Sequence, residues 1–335
     1  MPLPDAGSCR RRGTPFRPAI FIVAGLAVAA VLTADLGGQA VRETPFDAYL
    51  SRMRQQGLVP DRNETLSQSY RGSLRDNEAY QKLPAIHVFD NLFYVGPGFV
   101  SVWLIPTSDG LILVDTAQEP YVDHVIENVR RAGFDPEDIR YILISHGHLD
   151  HYGGAGKIQA LSGARIAAIE EDWQLIEDDR REGPGNPNRP LGMPFDRDMV
   201  LQDGQTLTLG DTSLTIHHLP GHTAGSPSFE FTVRDGGTPH DAFLFGGPGQ
   251  RGTGEDFLES LNRIMANMQD VEVAVHVHSW LSTFPYPGGS VFERALRLSY
   301  RQPGDPHPFV DNVAWRIWLE RAHAGAVNYV REQGR

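Results

Sequence analysis

Ser145-His146-Gly147-His148-Leu149-Asp150-His151 brings three imidazoles and a carboxylate into one short stretch. The apolar run Tyr141-Ile142-Leu143-Ile144 in front of it reads as a buried strand. Gly153-Gly154 and a helical alternation follow. The four side chains therefore belong to a loop leaving the C-terminal end of a strand, where α/β proteins collect their sites. His146 and His148 are two apart, so an extended chain points both rings to one side. Asp150 and His151 come after the chain turns and can face a second position close by. Imidazole and carboxylate without thiolate suit zinc ahead of manganese or iron.

Two later stretches offer further imidazoles at strand ends. After Leu214-Thr215-Ile216-His217-His218 comes Leu219-Pro220-Gly221-His222-Thr223-Ala224-Gly225-Ser226. Pro220 and Gly221 break that strand and present His222 on a tight turn. In Val271-Glu272-Val273-Ala274-Val275-His276-Val277-His278 the two histidines share a strand face, and parity does not choose between them. His217 and His218 precede the His222 turn, and alternation sends one of them inward to a packed role. His87, His124, His240, His307 and His323 read as surface or loop residues. Tyr152 is core or pocket lining, and Trp280 is a possible pocket wall.

Short strands occur in both halves of the chain. Ile86–Phe89, Leu92–Val95, Val100–Ile105 and Leu111–Val114 come first, with Asn91 and Asp109-Gly110 as turn signals. Thr206–Leu209, Leu214–His217, Ser228–Phe231, Phe243–Phe245 and Val271–Val277 come later. Helical spacing marks Tyr121–Ala132, Gly154–Leu161 and Phe257–Asn267. Two stacked sheets with helices outside, an α+β arrangement, follow from this order. Residues 41–80 form a polar N-terminal extension, residues 81–335 the main domain, and 178–197 a Pro/Gly-rich loop placed to act as a lid.

The net charge of the 335-residue chain is −12. Residues 1–40 carry four arginines against two aspartates, so the remainder is more acidic still and poorly suited to nucleic acid. Arg10-Arg11-Arg12, Arg17, the apolar run Ala19–Ala34 and Gly38-Gln39-Ala40 read as a signal peptide, or an N-terminal anchor if uncleaved. Export makes the protein periplasmic or secreted, with membrane contact only through an uncleaved segment. Cys9 is the single cysteine, so no disulfide is expected.

H-x-H-x-D-H, the G-H-T-x-G-S turn and a terminal histidine after an apolar strand together resemble the metallo-β-lactamase superfamily. Ile112-Leu113-Val114-Asp115-Thr116 is similar to its first motif, a strand ending in an aspartate behind the metal site. Asp90–Gly96, Phe134–Ile139 and Pro303–Val310 resemble segments of the third subclass of zinc β-lactamases. The resemblance spans roughly residues 85–325 and implies an αββα sandwich holding two zinc ions. His146, His148 and His222 would take the first; Asp150, His151 and His278 the second, which selects His278 over His276. It implies a monomer acting on a small molecule, with zinc lowering the pKa of a water to about 7 and Asp150 orienting that nucleophile as the catalytic carboxylate. A β-lactam amide, and with it antibiotic resistance, is the leading substrate reading. A lactone or carboxylic ester is the alternative, and a non-catalytic metal-binding protein is the reading of another class.

One stretch departs from the pattern. Phe243-Leu244-Phe245 runs into Gly246-Gly247-Pro248-Gly249, with neither the bridging aspartate of thioesterase and nuclease branches nor the serines of the third subclass. The expectation is a weakly anchored substrate carboxylate and good acceptance of neutral lactones or esters.

Overall fold

In a computed structural model the described residues are 44–183, 190–279 and 289–334. The signal or anchor, Trp280 and residues 184–189 of the expected lid lie outside them. Residues 41–335 form one compact unit.

The first sheet contains β1 (Ile86–Phe89), β2 (Leu92–Tyr94), β3 (Trp103–Thr107), β4 (Gly110–Val114), β5 (Ile139–Leu143), β6 (Arg165–Ile169) and β7 (Met199–Leu201), paired in that order. The second contains β8 (Thr206–Leu209), β9 (Thr212–His218), β10 (Pro227–Asp235), β11 (Thr238–Phe245) and β12 (Val273–His276), with β12 at the edge beside β11. Both are mixed. Strands β4 to β7 run parallel, as do β11 and β12, while the hairpins are antiparallel.

Side-chain alternation sorts the strands into layers. Trp103, Ile105, Ile112, Val114, Leu143 and Ala167 point from the first sheet into a shared core, where Leu214, Ile216, Phe229, Phe231, Leu244 and Val275 meet them from the second. The intervening Leu104, Leu113, Ile142, Ile144 and Ile166 face the opposite way. Against them pack α4 (Val122–Arg131), α6 (Ala155–Ser162) and α7 (Glu170–Glu182), the last through Trp173 and Ile176. Val122, Val125, Ile126 and Val129 form the buried stripe of α4 that their spacing predicts. Phe243, Phe245 and Ala274 project from the other side of the second sheet onto α8 (Gly254–Asn267) and α10 (Asn312–Gln333). The architecture is an αββα sandwich.

The extension carries α1 (Pro45–Gln55), α2 (Leu66–Ser69) and α3 (Glu78–Gln81). Thr44 and Thr65 cap α1 and α2 through capping boxes. Phe46 packs on Phe292 of α9 (Val291–Ser299), and the Ser67 hydroxyl and amide donate to Glu293.

Several sequence readings change. Strand β6 and α7 were not anticipated, and α7 continues to Glu182, so the Pro/Gly-rich loop starts later than position 178. Strand β12 stops at His276, so His276 and His278 do not share a face. Tyr152 is core, fully buried with its hydroxyl donating to Asp179. His217 and His218 are both half-buried, so alternation does not drive one inward; His217 Nε2 pairs with Glu230 and His218 Nε2 donates to the Ala224 carbonyl.

His124 and His307 are buried rather than on the surface. His307 donates from Nε2 to the Val88 carbonyl (2.9 Å) and accepts the Phe309 amide at Nδ1, which requires a neutral ring. Burial pushes both histidines down to about 4. A histidine with a depressed folded pKa contributes stability that is complete above the unfolded value, near 6.5, and is lost as pH falls toward 4. His307→Gln, which removes one such group, should therefore lose less stability than the wild type between pH 7 and 4.5. Urea unfolding of both chains across that range measures it; parallel pH profiles would refute the assignment to His307.

Candidate metal centre

The strand ends of both sheets converge on one edge of the sandwich, and each delivers a polar group there. Asp115 directly follows β4 and is a buried residue at φ 65°. Its carboxylate accepts the Ser145 amide (2.8 Å), the Ser145 hydroxyl (2.7 Å) and Nδ1 of His151 (2.7 Å). Thr116 adds two bonds to the His151 carbonyl, from its amide and from its hydroxyl. Asp115 thus ties the loop leaving β5 to the short helix α5 (Leu149–Tyr152) that carries Asp150 and His151.

Two other rings are held in the same manner. His146 Nδ1 donates to the Gly246 carbonyl (2.9 Å) and His222 Nδ1 to the Gly249 carbonyl. The glycine turn after β11 therefore serves the histidines through its backbone. A Cβ on Gly246 would stand 1.9 Å from the Pro227 carbonyl oxygen, so no side chain fits there. Gly221 has the same standing at the His222 turn: its φ is +133°, and a Cβ would meet Phe257 at 2.6 Å.

With one nitrogen of His146, His151 and His222 committed, their other nitrogens point into common space with a nitrogen of His278. His146 Nε2, His151 Nε2, His222 Nε2 and His278 Nδ1 are buried without a hydrogen-bond partner. Two groups have ligand atoms within 4.8 Å of one another: His146 with His148 and His222, and His146 with His151 and His278. Asp150 Oδ2 lies 3.6 Å from His151 Nε2. Buried polar atoms are nearly always satisfied, so four such nitrogens converging fit a metal. The structure brings together all six residues expected from the sequence. His276 lies elsewhere, its ring 5.3 Å from that of Trp318 beneath α10.

Burial lowers the pKa of His146 and His278 well below 6.5, takes His148 to about 4 and His222 to about 3, and the neighbouring imidazoles add to it. These rings are neutral and ready to donate a lone pair. His151 is opposite. Burial pushes it down, but Asp115 and Asp150 outweigh that and raise it. Burial likewise pushes Asp150 up, and His151, Arg71 and His148 together hold it below the usual carboxylate range.

Asp172, in the first turn of α7, is a site residue that the sequence reading missed. It is fully buried and accepts the Gly147 amide (3.0 Å) and the Ser226 amide (2.8 Å). It therefore joins the His146/His148 loop to the His222 turn across the two sheets. Burial pushes its carboxyl up to about 6, against the bonds it accepts from Thr223, Ser226 and Gly147. An acidic residue in a helix's first turn is common, so nothing in the local pattern singles it out.

A cleft of about 370 Å³ opens over the cluster, lined by His148, Asp150, His222 and His278, by Phe99, Gln118, Leu149 and Pro190, and by Arg71, Arg75 and Arg251.

The superfamily model for metallo-β-lactamases matches residues 95–235. The subclass B3 metallo-β-lactamase BJP-1 of Bradyrhizobium japonicum aligns with a TM-score of 0.63 at 28% identity, over 76% of this chain and 97% of that one. Over residues 95–235 the chain resembles the metallo-β-lactamase superfamily. Within it the chain resembles subclass B3. The class B3 di-zinc metallo-β-lactamase LRA-12 from an Alaskan soil metagenome, 24% identical, shares the fold with a TM-score of 0.61 over 75% of this chain and 97% of that one. Curated relatives carry other activities by name. A hydroxyacylglutathione hydrolase of Maricaulis maris is 29% identical over 48% of this chain and 54% of its own length. The N-acyl homoserine lactonase AttM of Agrobacterium fabrum is 31% identical over 31% of this chain and 40% of its length. The chain thus spans about half the length of these curated relatives or less. Together these relatives, all hydrolytic enzymes, indicate a metallo-hydrolase.

Asp172→Ala strands two buried amides, each costing about 1–3 kcal/mol. The variant should unfold at lower denaturant concentration and release zinc to a chelator faster, with Asp172→Asn, which keeps one acceptor oxygen, intermediate. Wild-type behaviour of Asp172→Ala in both assays would contradict the bridging role.

Proposed function

We propose that this chain is a dizinc hydrolase that opens the amide of a β-lactam ring. The observation that carries it is the set of four buried, unpartnered imidazole nitrogens arranged in two groups around His146. His146, His148 and His222 would hold one zinc; Asp150, His151 and His278 would hold the other. Three neutral imidazoles with an open position are the usual donor set of a catalytic zinc. When bound, zinc polarises the substrate carbonyl and makes a water acidic enough to attack it at neutral pH.

The chain's own groups supply the rest. Asp150 borders the cleft with its side chain 27% exposed, where Oδ2 can orient a water and take up its proton. Gly246, Gly249 and Asp115 fix the orientations of the His146, His222 and His151 rings through the nitrogen turned away from the cleft. Phe99, Leu149 and Pro190 provide the apolar parts of the cleft wall.

The similarity to subclass B3 structures over nearly their whole length supports the lactam reading. Hydrolysis of a lactone or carboxylic ester on the same site is the second reading, favoured by the absence of any serine in the Gly246–Gly249 turn and by the likeness to a named lactonase. Export to the periplasm or the medium is supported by the basic and apolar segments of residues 1–40.

Zinc-loaded protein should contain about two ions per chain by elemental analysis. It should hydrolyse at least one of a penicillin, a cephalosporin, a carbapenem and an uncharged lactone, and lose that activity to a chelator. His278→Ala should retain one ion and His276→Ala both. Absence of bound metal, or metal loss in His276→Ala alone, would refute the assignment.

A further inference from the structure

Arg71, Arg75 and Arg251 line the cleft over the histidine cluster, and Asp150 is the one acid among the described residues lining it. This cationic excess sits in a chain of net charge −12. Among the described residues none of the three guanidiniums has a carboxylate partner. Among the described residues Arg71 makes a single long hydrogen bond, Nη1 to the Phe99 carbonyl at 3.5 Å, and the side chains of Arg75 and Arg251 make none. Elsewhere, half-buried Arg263 and Arg301 are paired with Asp203 and Asp235, while exposed Arg52 and Arg54 have no ion pair among the described residues and are not gathered at a cleft.

The backbones that carry these arginines are firmly built. The Gln81 carboxamide, fully buried, donates from Nε2 toward the carbonyls of Tyr70 (2.9 Å), Leu74 (3.1 Å) and Arg75 (3.0 Å). Ser73 donates its amide and hydroxyl to Glu64 in the same turn, which commits that carboxylate away from the arginines. On the other wall, the amides of Arg251 and Gly252 both donate to the Gly221 carbonyl (3.0 and 2.7 Å), one residue before His222. Arg71 is felt electrostatically by Asp150 and His278, and Arg251 by His148 and His222. The two positive walls therefore flank both halves of the histidine cluster.

Holding like charges together without a counterion is unfavourable, and an anion relieves it. We propose that Arg71, Arg75 and Arg251 form a carboxylate-binding subsite, so that this enzyme selects acyl substrates bearing a carboxylate beside the bond it cleaves. The anchor that the glycine turn lacks comes instead from the N-terminal extension and from the loop before α8. This reverses the preference for neutral substrates expected from Gly246–Gly249. Arginine's planar fork suits a carboxylate better than a hydroxyl does.

The kinetic half of the test rests on the hydrolase reading; the binding half does not. With zinc-loaded full-length protein, a monoanionic ester (4-nitrophenyl hydrogen glutarate) is compared with its neutral counterpart (4-nitrophenyl pentanoate) in wild type, Arg71→Ala, Arg75→Ala and Arg251→Ala. The ratio of kcat/KM for the anionic over the neutral ester should fall about 10- to 100-fold in Arg71→Ala, and about tenfold in the more exposed Arg75→Ala and Arg251→Ala. The fall should lie in KM, as for lost uniform binding. Calorimetric titration with glutarate should show the same order of weakening, and high salt should reduce the wild-type advantage. If neither ester is cleaved, the hydrolase reading fails while glutarate binding still decides the subsite. Unchanged glutarate affinity in all three variants would overturn the proposal. Arg75→Ala and Arg251→Ala, at exposed positions, keep it testable should Arg71→Ala fold poorly.

Discussion

One nitrogen each of His146, His151 and His222 is already taken, and the site depends on that. Asp115 holds His151, and the Gly246 and Gly249 carbonyls hold His146 and His222. A ring fixed at one nitrogen presents the other in a set direction, with its tautomer determined. The partners come from the residue after β4 in one sheet and from the turn after β11 in the other. The sandwich must therefore be closed before the rings converge. Folding and site assembly are one event.

This dependence explains features that a motif does not. Gly246 is there because Pro227's carbonyl occupies the space of a Cβ, so the turn contributes carbonyls rather than hydroxyls. Asp172 sits between the two ligand loops because their inward-facing amides, at Gly147 and Ser226, need an acceptor away from water. Each group solves a hydrogen-bonding problem created by bringing strand ends of two sheets together.

Much of this was legible in the sequence because it is local. The apolar run before Ser145, the Pro-Gly break before His222 and the period-two strands point to the sandwich and to six residues that the structure gathers. What was not legible depends on where elements stop or on distant partners. His276 and His278 separate because β12 ends at His276, and no residue at that point signals it. Strand β6 is short, with two alanines, and carries a weak apolar signal. His124 and His307 look polar in sequence but are buried as neutral rings. Arg71 and Arg75 read as part of a polar extension, and only the packing of that extension beside Phe99 turns them toward the cleft.

The central claim is that the unpartnered nitrogens define two metal positions. Anomalous X-ray diffraction at the zinc edge from crystals of the zinc-loaded protein tests it most directly. Two peaks are predicted, one about 2.0–2.1 Å from ring nitrogens of His146, His148 and His222, the other bound by Asp150, His151 and His278. A cleft without an anomalous peak, or a zinc held by His276 in place of His278, would contradict the account.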